Sequence, residues 1–434
     1  QEPPCTRLKD SSPAEVSQQG AGAARSFSDG MAPSMLALPI AAVLALVAAA
    51  SSPPADTLES NPRKAFEEYK KQFGKTYESE AEEVHRFGLF RAALERIAEG
   101  NRRNGEAVFG LTWMSDRSPE ESYKRGRKGY GDKRFIKTAP VYSAPKTGKR
   151  LPKAIDWRLT PAVTPVKNQG QCGSCWAFST AEEVESQWAL HVSDDYSISL
   201  SPQQVASCVE ACDGCGGGDT VTAYEYLKGS PGLASSFFWP YAQSLTPLSE
   251  CEDKSCTEAC SSHDLSQLSK YEFYIGPSAH VTGFKYATPP CEGACADQNL
   301  DVLASAVVNE GPVSVCVNAG VWNDYTGGVL TAEACGSMAD PDLDHCVQLV
   351  GYNTTAPKPY WIVRNSWSNS WGEEGYVYLE YSKNTCGLAD EATIPTLASP
   401  SPPAERAARL ERLRRRAAAD ERGEEEEEEP QLLV

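Results

Sequence analysis

Two cysteines three residues apart, Cys172 and Cys175, stand in the stretch QGQCGSCWAFST, residues 169–180. Four chemistries use such a pair. With Cys212 and Cys215 they would supply the four sulfurs of a zinc site. Between a strand and a helix they would form a redox couple. Each would close a disulfide with a cysteine elsewhere, or one would act as a nucleophile. Aromatic bulk directly after Cys175 is unusual in a zinc knuckle, and Pro165 and Gly170 precede the pair where a redox motif needs a strand. The nucleophile reading has a physical basis. Gly173 and Ser174 permit a tight turn, and CWAFSTAEEVESQWAL opens a helix at Cys175. A thiolate there is stabilised by the positive end of the helix dipole, and the thiolate is the form that attacks.

Such a thiolate needs a basic partner, and that partner needs a group to orient it. Of five histidines, His345 lies in an apolar strand pattern, DLDHCVQLVGY. Asn365 lies in YWIVRNSWSNSWGEEGY, among three tryptophans. A strand histidine alone is more often structural. A helix-start cysteine and a tryptophan-flanked asparagine in the same chain shift the reading toward catalysis.

The elements that must hold these residues fall in one segment. Residues 151–398 carry 14 of the 15 cysteines and 8 of the 9 tryptophans, so the core and its staples are expected there. So many cysteines suit an oxidising compartment, and the odd count leaves at least one thiol. Over 434 residues the net charge is −18, which argues against a nucleic-acid partner, whose phosphates need a basic face. Residues 1–34 read as an unpatterned upstream extension. Residues 35–50, MLALPIAAVLALVAAA, read as the hydrophobic region of a signal peptide, too short for stable membrane insertion after cleavage. The expected location is the secretory pathway, ending in a lysosome or vacuole or outside the cell.

Residues 61–150 carry two apolar stripes at helical spacing, Phe66, Tyr69, Phe73 and then Phe87, Phe90, Leu94, Ile97. They predict two helices, the second closing near Gly105, followed by a short strand in VFGLTWMSD. KRGRKGYGDKR, residues 124–134, reads as loose, and KTGKR, residues 146–150, as a cleavable basic linker. This segment has 21 Lys/Arg and 13 Asp/Glu, net +8, against 10 and 30 in 151–398, net −20. Opposite fields favour docking of the two. Residues 399–434, Arg-rich and ending in a Glu run, read as a disordered charged tail or a lone exposed helix.

QGQCGSCWAF, LSPQQVASC, GCGGG, WPY, GPVSV, DHCVQLVGY and YWIVRNSWSNSWGEEGY follow one another in the order of a known family. The chain resembles the papain-like, cathepsin-type cysteine proteases over 151–398. The resemblance implies an α+β fold of two domains, one helical and led by the Cys175 helix, one a β-barrel carrying His345 and Asn365, with the cleft between. It implies Cys175 as nucleophile, His345 as its imidazolium partner, Asn365 orienting His345, Trp367 shielding that bond, and Gln169 as an oxyanion-hole donor. Gly217, Gly218, Asp219, Leu343, Asp344 and Glu391 would bind substrate. Thr220, Cys316 and Cys346 would join the pocket walls, the two cysteines as small hydrophobes. Disulfides Cys172–Cys215, Cys208–Cys251 and Cys335–Cys386 are implied, with Cys212, Cys256, Cys260, Cys291 and Cys295 extra. His345 and Asn365 come 170 and 190 residues after Cys175. That is longer than the family's usual gap, which fits an insertion between Cys251 and Cys295. No metal and no cofactor is implied.

The 61–150 segment resembles the family's inhibitory propeptide through Glu82, Arg86, Phe90, Ile97 and Asn101, with Ala93 in place of the usual Asn, and through Gly110 and Asp116. The expectation is a monomeric endopeptidase, made as a zymogen with its propeptide as intramolecular inhibitor, acting on proteins and peptides. Acid is expected to activate it by protonating carboxylates of the acidic body. Asn353, in NTT, would be a glycosylation acceptor. The alternatives are a catalytically silent binding or inhibitor protein on this fold, or an exopeptidase variant.

Overall fold

The structure, a computed structural model, describes residues 61–118, 121, 138–145, 150–193, 197–242, 260–268, 278–291, 298–336, 343–399 and 401–418. The expectations for residues 1–50, for 124–134, for most of the 146–150 linker and for residues 251–259, 269–277 and 292–295 of the insertion lie outside these residues.

Within residues 61–118 the chain forms two helices. In α1 (Pro62–Phe73), Asn61 caps the start by accepting from Lys64 N–H, and Gly74 ends it at φ 61°. In α2 (Glu80–Asn104), Ser79 caps the start and Gly105 ends it at φ 78°. Phe66, Tyr69, Phe90 and Leu94 pack together between the helices. Asp116 ties the next segment to this pair, accepting from Tyr69 Oη at 2.8 Å, Lys75 Nζ at 2.8 Å and Tyr77 Oη at 2.9 Å. The strand expected in VFGLTWMSD does not form. Phe109 makes a single bridge to Tyr325, and the chain then turns at 113–116. The backbone N–H groups of Val108 and Phe109 donate to Asn101 Oδ1, which satisfies them without a ladder.

The body combines α3 (Cys175–His191), α4 (Pro202–Cys208), α5 (Thr220–Gly229) and α6 (Leu300–Glu310) with one sheet. Its strands are β1 (Ala154–Asp156), β2 (Val281–Tyr286), β3 (Val313–Val317), β4 (Val329–Leu330), β5 (His345–Asn353), β6 (Tyr360–Arg364), β7 (Tyr376–Glu380) and β8 (Glu391–Leu397). The order is β2-β8-β3-β5-β6-β7-β4, with β1 added to β5. All pairs are antiparallel except β4 with β7. β5 is buried from His345 to Tyr352, which fits its apolar run and its central place. At Gly351 a Cβ would lie 2.1 Å from the Ile155 carbonyl oxygen, so only glycine lets β1 approach.

Two separate cores result. One gathers α6 with β3, β5, β6 and β7 around Trp157, Trp322, Trp361, Trp367 and Trp371. The other gathers α3, α4, α5 and β2 around Trp176, Trp188, Tyr224 and Phe284. α3 lies between them, buried from Cys175 to Leu190. Its side toward the sheet is polar. Ser179 Oγ meets Ser314 Oγ at 2.7 Å and donates to the Val347 carbonyl at 2.8 Å. Gln348 Nε2 donates to Glu183 at 2.8 Å, Lys167 pairs with Glu185 at 2.6 Å, and Arg364 lies 3.5 Å from Glu182. Buried carboxyl groups are tolerated here because each meets a cation or a hydrogen-bond donor.

Three further expectations need correction. The tail does not begin as disorder or as a lone helix. α7 (Pro403–Ala417) packs on the body and buries Leu413 and Ala417 in the first core, because its few apolar residues share one face. Cys208 pairs with Cys260, not Cys251; the insertion offers several cysteines, and spacing does not select among them. Cys172–Cys215 and Cys335–Cys386 are joined, and Cys291 is also disulfide-bonded. Cys316 and Cys346, expected as small hydrophobes, form a disulfide. Cys175 and Cys212 carry thiols.

Candidate active site

With Cys172 and Cys215 joined, two of the four sulfurs of the zinc reading are consumed. The same bridge anchors the loop before α3, and Gly173 N–H donates to the Cys215 carbonyl at 2.9 Å. Ser174 precedes α3 without capping it, because its hydroxyl meets Tyr241 Oη at 2.7 Å. Cys175 is therefore the first residue of a 17-residue helix, where backbone N–H groups lack intrahelical acceptors.

The histidine and asparagine come from the other core. His345 opens β5, and Asn365 follows the last residue of β6. His345 Nε2 lies 2.8 Å from Asn365 Oδ1. That asparagine atom also accepts the Ser366 N–H at 2.8 Å, which identifies it as the oxygen. Nε2 must then carry the hydrogen that the asparagine oxygen accepts. Trp367 lies over the imidazole with centroids 4.9 Å apart, Trp322 meets it edge-on at 5.9 Å, and Trp371 packs against Trp367 at 5.2 Å. His345 and Asn365 are both fully buried, so the pair is held in a dry aromatic box.

Gln169 joins the two halves. Its backbone N–H donates to the Ser366 carbonyl at 2.8 Å, and Asn168 bridges to Trp367. Its side-chain Oε1 accepts from Ser366 Oγ at 2.7 Å, and Nε2 donates to the Cys172 carbonyl at 2.9 Å. Tyr241 Oη donates to the Gln169 carbonyl at 2.9 Å. These bonds fix the amide beside the start of α3. Ser366, Tyr241 and Trp322 were not singled out as site residues. Tyr241 stands in the WPY motif, whereas Trp322 had no local signal.

The residues expected to bind substrate divide. Gly217 has φ 121°, and a Cβ on Gly218 would meet the Trp176 ring at 2.4 Å, so both glycines answer to backbone geometry. Asp219 spends its carboxylate capping α5, accepting from Val221 and Thr222 N–H. Asp344 Oδ1 accepts from Ala319 N–H at 2.9 Å. Leu343 contacts Cys316 and Cys346. Glu391, 7% exposed, opens β8 opposite Cys316. Asn353 ends β5 in a turn, accepting from Thr355 N–H at 2.8 Å.

The propeptide docks through α2. Arg96 pairs with Asp324 at 3.0 Å, Asn104 Oδ1 accepts from Thr331 N–H at 2.7 Å, and Arg103 donates to the Glu333 carbonyl. Ile97, Val108, Phe109 and Met114 enter the first core of the body.

Two α/β cores with a helix-start thiol on one and a His–Asn pair on the other define a papain-like thiol protease fold. A profile described as papain family cysteine protease matches residues 151–396, and one described as cathepsin propeptide inhibitor domain matches 66–122. A cysteine proteinase of Trypanosoma brucei brucei is 36% identical over 356 residues, covering 80% of this chain and 69% of that protein. Cysteine proteinase B of Leishmania mexicana is 33% identical over 405 residues, covering 88% and 82%. The solved structure of a digestive procathepsin L proteinase from the larval midgut of Tenebrio molitor matches with a TM-score of 0.62 at 29% identity, covering 77% of this chain and 99% of that one. The chain belongs to the papain family of cysteine proteases and is made as a proenzyme whose inhibitory propeptide acts on its own catalytic domain.

Proposed function

We propose that the mature protein is an endopeptidase that cleaves peptide bonds through a thioester on Cys175. The Cys175 thiolate attacks the peptide carbonyl. The oxyanion is held by the Cys175 backbone N–H and by Gln169 Nε2. His345 protonates the leaving amine from Nδ1, and water then hydrolyses the thioester with His345 as base. The observation that carries this reading is the 2.8 Å bond from His345 Nε2 to Asn365 Oδ1, which orients the imidazole and assigns the proton transfer to Nδ1. Glu391 is read as the counter-ion at the base of a specificity pocket that takes apolar side chains and arginine.

The reading extends to acid activation, with a changed origin. At the interface, burial raises Asp324 above the ordinary carboxylate value, and Arg96 offsets this only in part. Protonation of Asp324 would remove its ion pair with Arg96. Within the propeptide, two carboxylates are held below their ordinary value. Burial works to raise Glu121, but the Arg86 hydrogen bond and the Ser118 N–H outweigh it and hold it below 4.5. The Lys70 hydrogen bond likewise lowers Glu83. These carboxylates stabilise the propeptide above the ordinary value, and their contribution is lost as pH falls through the lowered one. Acid thus loosens the propeptide itself. An acidic vacuole or lysosome on the secretory pathway is the matching location, and Asn353 is read as a glycosylation acceptor.

The test is hydrolysis of an N-blocked peptide amide with residues on both sides of the scissile bond. The mature enzyme is expected to cleave it, and Cys175→Ala to leave no turnover. Cleavage that survives Cys175→Ala, or activity restricted to free termini, contradicts the reading.

A further inference from the structure

We propose that the Cys316–Cys346 disulfide is a specificity-determining wall of the substrate cleft, setting the size of side chain admitted and keeping Glu391 available to a cationic one. This rests on the reading of Cys175 as the nucleophile.

The position follows from register. Glu391 of β8 stands opposite Cys316 of β3, and Cys316 stands opposite Cys346 of β5. Residues directly opposite in antiparallel strands share one face, so the three form a row across the sheet. Ser314, two residues before Cys316, meets Ser179 of α3, and Gln348, two after Cys346, meets Glu182, Glu183 and Ser186. The row therefore lies on the face that carries α3. From Ser314 to Cys316 the strand advances roughly 6.6 Å, a little more than the rise of one helical turn, about 5.4 Å. Starting from Ser179, that step leads to the level of Cys175. His345 is the chain neighbour of Cys346. The disulfide thus stands beside both groups of the proposed mechanism.

Its surroundings separate it from an ordinary core staple. Cys316, Cys346 and Leu343 contact one another but belong to neither main core. β3 and β5 are adjacent strands already registered at five residue pairs. Register needs no further tie there.

Two consequences follow from the bond. Joined sulfurs cannot change rotamer independently, so this wall does not yield to a larger substrate side chain as two separate side chains would. Cys316 Sγ also lies 3.6 Å from Glu391 Oε1. A thiol at that distance would donate S–H to the carboxylate, whereas a bridged sulfur has no hydrogen to give. The bridge therefore withdraws a donor that would compete with a substrate guanidinium.

The test compares the mature enzyme with the double variant Cys316→Val, Cys346→Ala. The substrates are N-blocked peptide amides that differ only in the second residue before the scissile bond: Leu, Phe or Arg. The Phe-to-Leu ratio of kcat/KM is expected to shift by about tenfold, through KM rather than kcat. The single variant Cys346→Ala, which keeps a thiol at Cys316, is expected to lower the Arg-to-Leu ratio. It also serves should the double variant fail to fold. Ratios within about twofold of wild type, or an equal loss on all three substrates with only thermal stability altered, overturn the proposal. Titration of Cys175 by a thiol-directed epoxide is run alongside. A wild-type enzyme that fails to titrate refutes the nucleophile reading instead.

Discussion

The oxygen of Asn365 takes two hydrogen bonds, from His345 and from the Ser366 backbone, and this double use fixes which imidazole nitrogen carries its hydrogen toward Asn365. Ser366 serves a second purpose, holding Gln169 Oε1 so that the amide nitrogen turns toward the loop before α3. Replacing Gln169 with Ala removes one oxyanion donor. The expected loss is about 10²–10³-fold in kcat with little change in KM, read from steady-state kinetics. A loss confined to KM would make Gln169 a binding residue. Cys175, Gln169, His345 and Asn365 were legible because their motifs are local and tied to chemistry. Ser366 and Trp322 were not, because each acts on a residue far away in sequence. Nor was the Cys316–Cys346 bond, since its partners are 30 residues apart and meet only through strand register.

At the scale of elements, α3 is the part on which the account depends most. Its start was legible from the glycine-containing turn and the apolar residues after Cys175. Its role as a wedge between two cores was not, because it rests on the burial of Glu182, Glu183 and Glu185, which no sequence pattern marks. Burial pushes Glu183 up to about 8, against the opposing hydrogen bonds of Gln348 and Gln187. For a carboxyl raised in the folded state, stability falls as pH rises from the ordinary value of 4.5 toward 8. Glu183→Gln, a neutral isostere, is expected to match wild type near pH 4.5 and to melt roughly 5 °C higher at pH 8. Equal melting differences at both values would show that Glu183 is not a neutral acid in the fold. α1 and α2 were legible from their stripes and caps. VFGLTWMSD was misread as a strand because β-prone residues were satisfied by Asn101 and Tyr325 rather than by a neighbouring strand.

At the scale of the molecule, the charge split between propeptide and body was plain in the sequence, but its local consequence was not. Long-range attraction suggested that acid acts on the body. Inside the propeptide, Arg86 and Lys70 hold Glu121 and Glu83 below the ordinary carboxylate value, so acid weakens the propeptide as well. Release of the propeptide from a Cys175→Ala proenzyme, followed by its susceptibility to an added protease, is expected to be faster at pH 4 than at pH 7. Glu121→Gln is expected to narrow the difference by speeding release at pH 7. Equal rates for wild type at both values would contradict this origin. α7 lies beyond the residues matched by the family profile, so no motif announced it. Its arginines masked an apolar face that seats Leu413 on the body.

The central claim is that one thiol, Cys175, is reactive although Cys212 also carries a thiol. Treating the folded mature enzyme with a thiol-directed epoxide and mapping the adduct by peptide mass spectrometry tests it directly. The account predicts one adduct per chain, on Cys175, with activity lost in step and no adduct in Cys175→Ala. Modification of Cys212 in the folded enzyme, or an unmodified Cys175 in an enzyme that still cleaves peptides, would contradict it.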